Sequence, residues 1–277
     1  STLFPYTTLF RSSILGTSFE KWCTNDSLYS GKIDDILPTG ISDENTQVTT
    51  YHGFYVGRYE AGLDVDLGSA SQKTANPTNR NKNTINPIIV EGASPWNCMD
   101  YTYSKQNAER MYSTTAVQSG LLTGKQWDST MKFIQNVGEK NTENNNVDTN
   151  SNGWGNYKDS SRTLDRYKML STDYGASWTA QTPASGETYP KTTNNTSQLL
   201  RTGSSAETKV QNISDMAGNL IEWTYEIYSS ESDSDCRICR GGTFYWNASI
   251  SAGDRRVYDY TGMPSLSDGF RVALYVK

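Results

Sequence analysis

Residues 269–277 read Gly-Phe-Arg-Val-Ala-Leu-Tyr-Val-Lys, GFRVALYVK. Phe270, Val272, Leu274 and Val276 alternate with the residues between them, a period of two that predicts a strand with one apolar face. The same period recurs far upstream in GFYVGRYEAG, residues 53–62, with Phe54, Val56 and Arg58 on one side and Tyr55, Gly57 and Tyr59 on the other. Strands so distant in sequence invite pairing, which would bring the ends of a domain spanning 51–277 together. Between them lie two helical patterns. TYSKQNAERMYST follows Asp100 and places Ala108, Met111 and Tyr112 as apolar positions. TGKQWDSTMKFIQNVG opens on Thr123, a capping residue, and closes at Gly138. Its Trp127, Met131 and Ile134 fall at i, i+4 and i+7, one buried stripe.

Composition narrows the function. A chain of 277 residues with 35% hydrophobic residues can build one sizeable core with long decorations. A net charge of −5 argues against a nucleic-acid partner, which would require a basic face. No run of about 18 apolar residues occurs, so no membrane insertion is expected in this segment. His52 is the sole histidine, which excludes multi-histidine metal sites and reads as structural or solvent-facing. The cysteines are Cys23, Cys98, Cys236 and Cys239; the last two have C-x-x-C spacing, but zinc would need two further ligands, so unpaired, partly buried thiols are expected.

The domain organisation is uneven. Residues 13–50 are polar with turn signals such as Pro38-Thr39-Gly40 and read as a loosely structured lead-in or the remnant of an upstream segment. Residues 139–209 are rich in Asn, Thr, Ser and Gly and read as long surface loops pinned locally by Trp154, Tyr157, Tyr174 and Trp178. The opening STLFPYTTLFRS, residues 1–12, resembles the in-frame translation of a sequencing-library adapter, which points to a metagenomic source and is set aside from fold reasoning. A signal peptide is then not readable; a cell-surface, extracellular or virion location is the expectation.

Four pieces occur in order: LLTGKQWDSTMKFI, ISDMAGNLIEWTYE, CRGGTFYW and GFRVALYV. Together they resemble the formylglycine-generating-enzyme (sulfatase-modifying factor) domain, a variant of the C-type lectin fold. The resemblance covers residues 51–277 apart from the loop-rich middle. It implies an α+β fold with two helices packed on small twisted antiparallel sheets and long irregular loops. It also implies copper held by two cysteines after the glycine pair, since soft Cu(I) favours thiolates. Counted from Gly241-Gly242, those positions hold Trp246 and Ser251, and Cys236 and Cys239 precede the glycines. The histidine-rich iron site of the related sulfoxide synthases cannot be built from one histidine. The scaffold thus resembles the family while its known catalytic ligands are missing. The family's structural calcium would fall on the carboxylates of Asp215 and Glu222 and the carbonyls of Gly218 and Leu220.

The chain is similar, too, to the variable proteins of diversity-generating retroelements, many of them phage or bacterial surface receptors. Their ligand face lies between R-G-G and the final G-F-R, here Thr243–Asp268. In that window Phe244 reads as core, while Tyr245, Trp246, Asn247, Ser249, Arg256, Tyr258, Tyr260, Met263, Ser265 and Ser267 are the candidate contact residues, with Arg256, Tyr258 and Tyr260 alternating onto one side. Tyr, Trp, Arg, Asn and Ser are favoured at binding surfaces. The expectation is a non-catalytic module that binds a protein or glycan ligand, with no required cofactor. The alternatives are a formylglycine-generating-enzyme-like oxidoreductase with an altered site, or a structural domain of a surface or virion protein.

Overall fold

Thr123 starts the helix around which the core is built. Its hydroxyl accepts from the Gln126 amide at 3.0 Å, and the Gln126 side chain accepts from the Thr123 amide at 3.2 Å. This reciprocal cap satisfies two backbone donors that a helix start otherwise leaves open. Trp127, Met131 and Ile134, the predicted stripe, are fully buried.

The computed structural model describes residues 7–10, 32–63, 86–143, 145–229, 236–258 and 264–277. In chain order its main elements are β1 (Thr7–Phe10), β2 (Lys32–Asp35), α1 (Glu44–Tyr51), β3 (Phe54–Gly57), α2 (Tyr101–Met111), β4 (Val117–Gly120), α3 (Gly124–Val137), β5 (Ile221–Ser229), β6 (Cys236–Arg240), β7 (Arg255–Tyr258), β8 (Asp268–Phe270) and β9 (Ala273–Val276). One sheet has the order β1-β3-β9-β4. The other runs β7-β6-β5, and β5's far edge carries β8 in parallel at Ile221–Trp223 and β2 in antiparallel at Glu226–Ser229.

The expected pairing of the two distant strands is present, with Ala273 opposite Val56 and Leu274 opposite Tyr55. GFRVALYVK is nevertheless not one strand. The chain leaves the second sheet at Phe270, bends at Arg271 and enters the first sheet at Ala273. Nor does it have a single apolar face, because Arg271, Ala273 and Tyr275 are as buried as their neighbours. The polar members are satisfied inside: the Tyr275 hydroxyl donates to the Leu121 carbonyl at 2.7 Å.

A third helix joins the two expected ones. Glu44–Tyr51 carries Thr and Val, which disfavour helix, and its start depends on Asp43, whose carboxylate accepts from the Asn45 and Thr46 amides. Residues 32–50, read from sequence as lead-in, therefore supply a strand of the second sheet and nearly all of a helix. Residues 1–6 and 11–31, including Cys23, lie outside the described residues. The loop-rich stretch is also less superficial than its composition suggests. Trp154 and Tyr157 sit in the main core, and the Asn156 amide donates to the Gln198 carbonyl and the Asn219 side chain, both at 2.9 Å. Cys98, Cys236 and Cys239 are wholly rather than partly buried.

Two guanidinium groups lie among these side chains with no solvent contact. Arg240 and Arg255, from β6 and β7, both pair with Asp128 of α3 and Glu226 of β5. The network clamps α3 against the sheet, and each charge is compensated by an opposite one, the condition under which burial is tolerable.

Candidate ligand-binding face

The glycine pair sets the course of the loop that leaves β6. Gly241 and Gly242 have φ values of 100° and 69°, in the left-handed region. A Cβ on Gly242 would stand 2.5 Å from the Ile250 carbonyl oxygen and 2.6 Å from the Tyr157 ring. Only glycine lets the chain pass so close to its own next loop. The backbone then turns, with the Phe244 amide donating to Asn219 O and the Trp246 amide to Thr243 O, both at 3.0 Å.

Residues 243–254 are pinned from behind by residues 147–159. The Lys158 amide donates to Trp246 O at 2.9 Å, and the Ala248 amide donates to the Asp159 carboxylate at 2.9 Å. Ser251 donates its hydroxyl to Asp148 O at 2.7 Å, the Ala252 amide donates to Ser151 Oγ at 3.0 Å, and the Gly253 amide donates to Val147 O at 2.7 Å. From the core, the Trp127 indole N–H donates to Ala252 O at 3.0 Å. Phe244, Ala248 and Ala252 point inward and are buried.

The residues between these anchors point outward. Tyr245 is 49% exposed and Ile250 37%, and Asn247 and Ser249 are exposed as well. Together with Trp246, Arg256 and Lys158 they line one shallow depression of about 420 Å³. The Arg256 guanidinium lies over the half-buried Trp246 ring at 5.4 Å and near the Tyr258 ring at 6.0 Å. Five predicted contact residues, Tyr245, Trp246, Asn247, Ser249 and Arg256, thus come together.

Others do not join them. Tyr258 is half-buried, its ring 5.1 Å from that of Trp223, and burial pushes its hydroxyl pKa upward. It serves the core and a flank of Arg256 instead of an outward face. Ser267 is buried and Ser265 half-buried, and their hydroxyls contact each other at 3.2 Å in the turn before Asp268. Tyr260 and Met263 lie outside the described residues. Lys158 and Ile250 escaped sequence reasoning. Lys158 arrives from the loop-rich stretch, and nothing local marks it as a neighbour of Trp246.

The positions that resemble metal ligands fare differently. Trp246 and Ser251 offer no thiolate, and Ser251 is used internally, so the chain does not fit the family's copper. Burial, then the charges of Asp268 and Glu222, raise the pKa of the Cys239 thiol well above its ordinary value, which keeps it protonated. Asp215 and Glu222 are buried. Glu222 is held by Arg271, whose Nε donates to both of its oxygens at 3.1 Å and whose Nη2 donates at 2.7 Å. Asp215 accepts from the Gly203 amide and the Thr208 hydroxyl, each at 2.7 Å. Glu60 joins this group, accepting from the Asn219 side chain at 2.6 Å and the Leu220 amide at 2.8 Å. Burial, then the charges of Asp215 and Glu222, raise its pKa and favour its protonated form. Arg271 pairs directly with Glu222, while Asp215 and Glu60 are held by hydrogen bonds alone. Among the described residues no group of three or more His, Cys, Asp and Glu has the geometry to hold a metal.

Residues 161–276 match the family model of the Sulfatase-modifying factor enzyme 1-like domain, so the resemblance read from ISDMAGNLIEWTYE, CRGGTFYW and GFRVALYV holds over that span. Among solved structures the chain is similar to CarF, at 13% identity and a TM-score of 0.39, covering 89% of this chain and 97% of that one. It is also similar to Treponema denticola variable protein 1, at 14% identity and a TM-score of 0.29, covering 78% of this chain and 61% of that one. Among curated proteins none matches by sequence. No helix among the described residues is long and apolar enough to cross a membrane.

Proposed function

We propose that this chain is a non-catalytic recognition module that binds a protein or glycan ligand through Tyr245, Trp246, Asn247, Ser249, Ile250, Arg256 and Lys158. One observation carries the reading: a loop anchored at 244, 246, 248 and 251–253 presents the side chains between the anchors to solvent. A rigid backbone with outward aromatic and polar side chains loses little conformational entropy on binding. Burying one exposed aromatic against a partner contributes on the order of 2 kcal/mol. The copper-ligand positions, Trp246 and Ser251, support a role other than oxidation.

The same geometry suits diversification. Side chains at 245, 247, 249, 250 and 256 can change without touching the anchors, as a variable receptor at a cell or virion surface requires. Sibling genes from the same source provide the test. Differences concentrated at those five positions, with Gly242, Phe244, Ala248 and Ala252 constant, support the proposal. Differences spread evenly over the chain, or falling on the buried anchors, refute it.

A further inference from the structure

The depression is cationic in an acidic protein. Lys158 and Arg256 border it, both are exposed, and no carboxylate is among its lining residues. The whole chain carries −5, so this patch opposes the net charge. Among the described residues neither cation forms an ion pair within the protein. Asp268 feels the charge of Arg256, but it is fully buried and accepts from the Ser265 amide at 3.3 Å.

Arg256 is also ordered in advance. Contact with Trp246 on one side and Tyr258 on the other holds the guanidinium, and its in-plane N–H donors match the two oxygens of a carboxylate. Tyr245 and Ile250 add exposed apolar surface to the same depression. Building on the reading of this face as a binding surface, we propose that it takes an acidic segment of a partner protein. A Glu or Asp side chain of that segment would lie against Arg256 and Lys158, and an apolar neighbour against Tyr245 and Ile250. A neutral glycan is a poorer match. Its hydroxyls need acceptors, whereas both cations only donate, leaving the side chains of Asn247, Ser249 and Tyr245 to accept.

Selection of a random phage-displayed peptide library on the immobilised full chain tests both levels, with a Tyr245→Ala/Ile250→Ser variant in parallel. Both substituted residues are exposed, so the variant keeps its fold. Peptides that are enriched on the native chain, lost on the variant and rich in Glu and Asp support the inference. Peptides that depend on Tyr245 and Ile250 but are neutral or basic leave the binding face standing and overturn its acidic specificity. Enrichment that ignores the double substitution overturns the binding face and the inference with it, whereas no enrichment overturns the acidic protein segment and leaves a glycan as the ligand of the face. For one selected acidic peptide, Arg256→Gln should weaken binding about tenfold, and added salt should shrink that difference. Unchanged affinity in Arg256→Gln and Lys158→Gln would also overturn the inference.

Discussion

Replacing Asp268 with Asn probes how buried carboxylates set the pH range of this fold. Asp268 lies in β8 without solvent contact, and its Oδ1 has no hydrogen-bond partner. Burial raises its pKa from 3.8 to about 7, against the opposing pull of Ser265 and Arg256. As pH rises, the unfolded chain therefore gives up this proton first. The stability contributed by Asp268 is fully present below about pH 4 and is lost as pH climbs to about 7. That interval spans about 3 pH units at about 1.4 kcal/mol each, so about 4 kcal/mol disappears across it. The asparagine variant cannot ionise, but it buries an amide donor at a cost of about 1–2 kcal/mol. It should start less stable than the native chain near pH 4 and overtake it by pH 8. Urea unfolding followed by tryptophan fluorescence at intervals between those pH values measures this. Asp254, raised to about 6, titrates in both proteins and cancels in the difference. A difference in stability between the two proteins that stays constant from pH 4 to 8, within about 1 kcal/mol, would refute the reasoning.

The same packing sets three further outcomes. Gly242→Ala places a Cβ 2.5 Å from the Ile250 carbonyl oxygen at φ 69° and should cost more than about 2 kcal/mol in denaturant unfolding. Arg255→Met leaves Asp128 and Glu226 one cation short and should cost about 3–5 kcal/mol, measured the same way. Tyr245→Ala alters only an exposed ring and should shift stability by less than about 0.5 kcal/mol; a large drop in melting temperature would make Tyr245 a core residue instead.

The features legible in the sequence are the local ones. The cap at Thr123 and the stripe Trp127–Met131–Ile134 occupy one helix, so period and capping chemistry define them without knowledge of the rest of the fold. Asp100 likewise caps α2 as its position implies. The helix Glu44–Tyr51 was not legible, because its composition opposes helix and its start relies on one aspartate and on Glu44 reaching the Thr123 hydroxyl. The alternation through GFRVALYVK was real but misleading in one respect, since the bend at Arg271 hands the chain from one sheet to the other. No periodicity announces such a transfer.

The candidate face was half legible for the same reason. Tyr245, Trp246, Asn247 and Ser249 come directly after the glycine pair, so one motif locates them all. Arg256 and Tyr258 share a side of β7 by alternation, and on an isolated strand they would act alike. Tyr258 is drawn inward by Trp223, a partner from another strand, while Arg256 reaches over Trp246 and stays exposed. Whether a side chain here faces solvent or fills the core is decided by the ring beneath it, and that ring comes from elsewhere in the chain. Lys158 carries the point further. Its backbone amide secures Trp246 while its exposed side chain contributes charge to the depression, so one loop-rich residue both anchors the scaffold and lines the face. Substituting its side chain should alter ligand choice and leave the loop in place, because the backbone bond to Trp246 survives any replacement except proline.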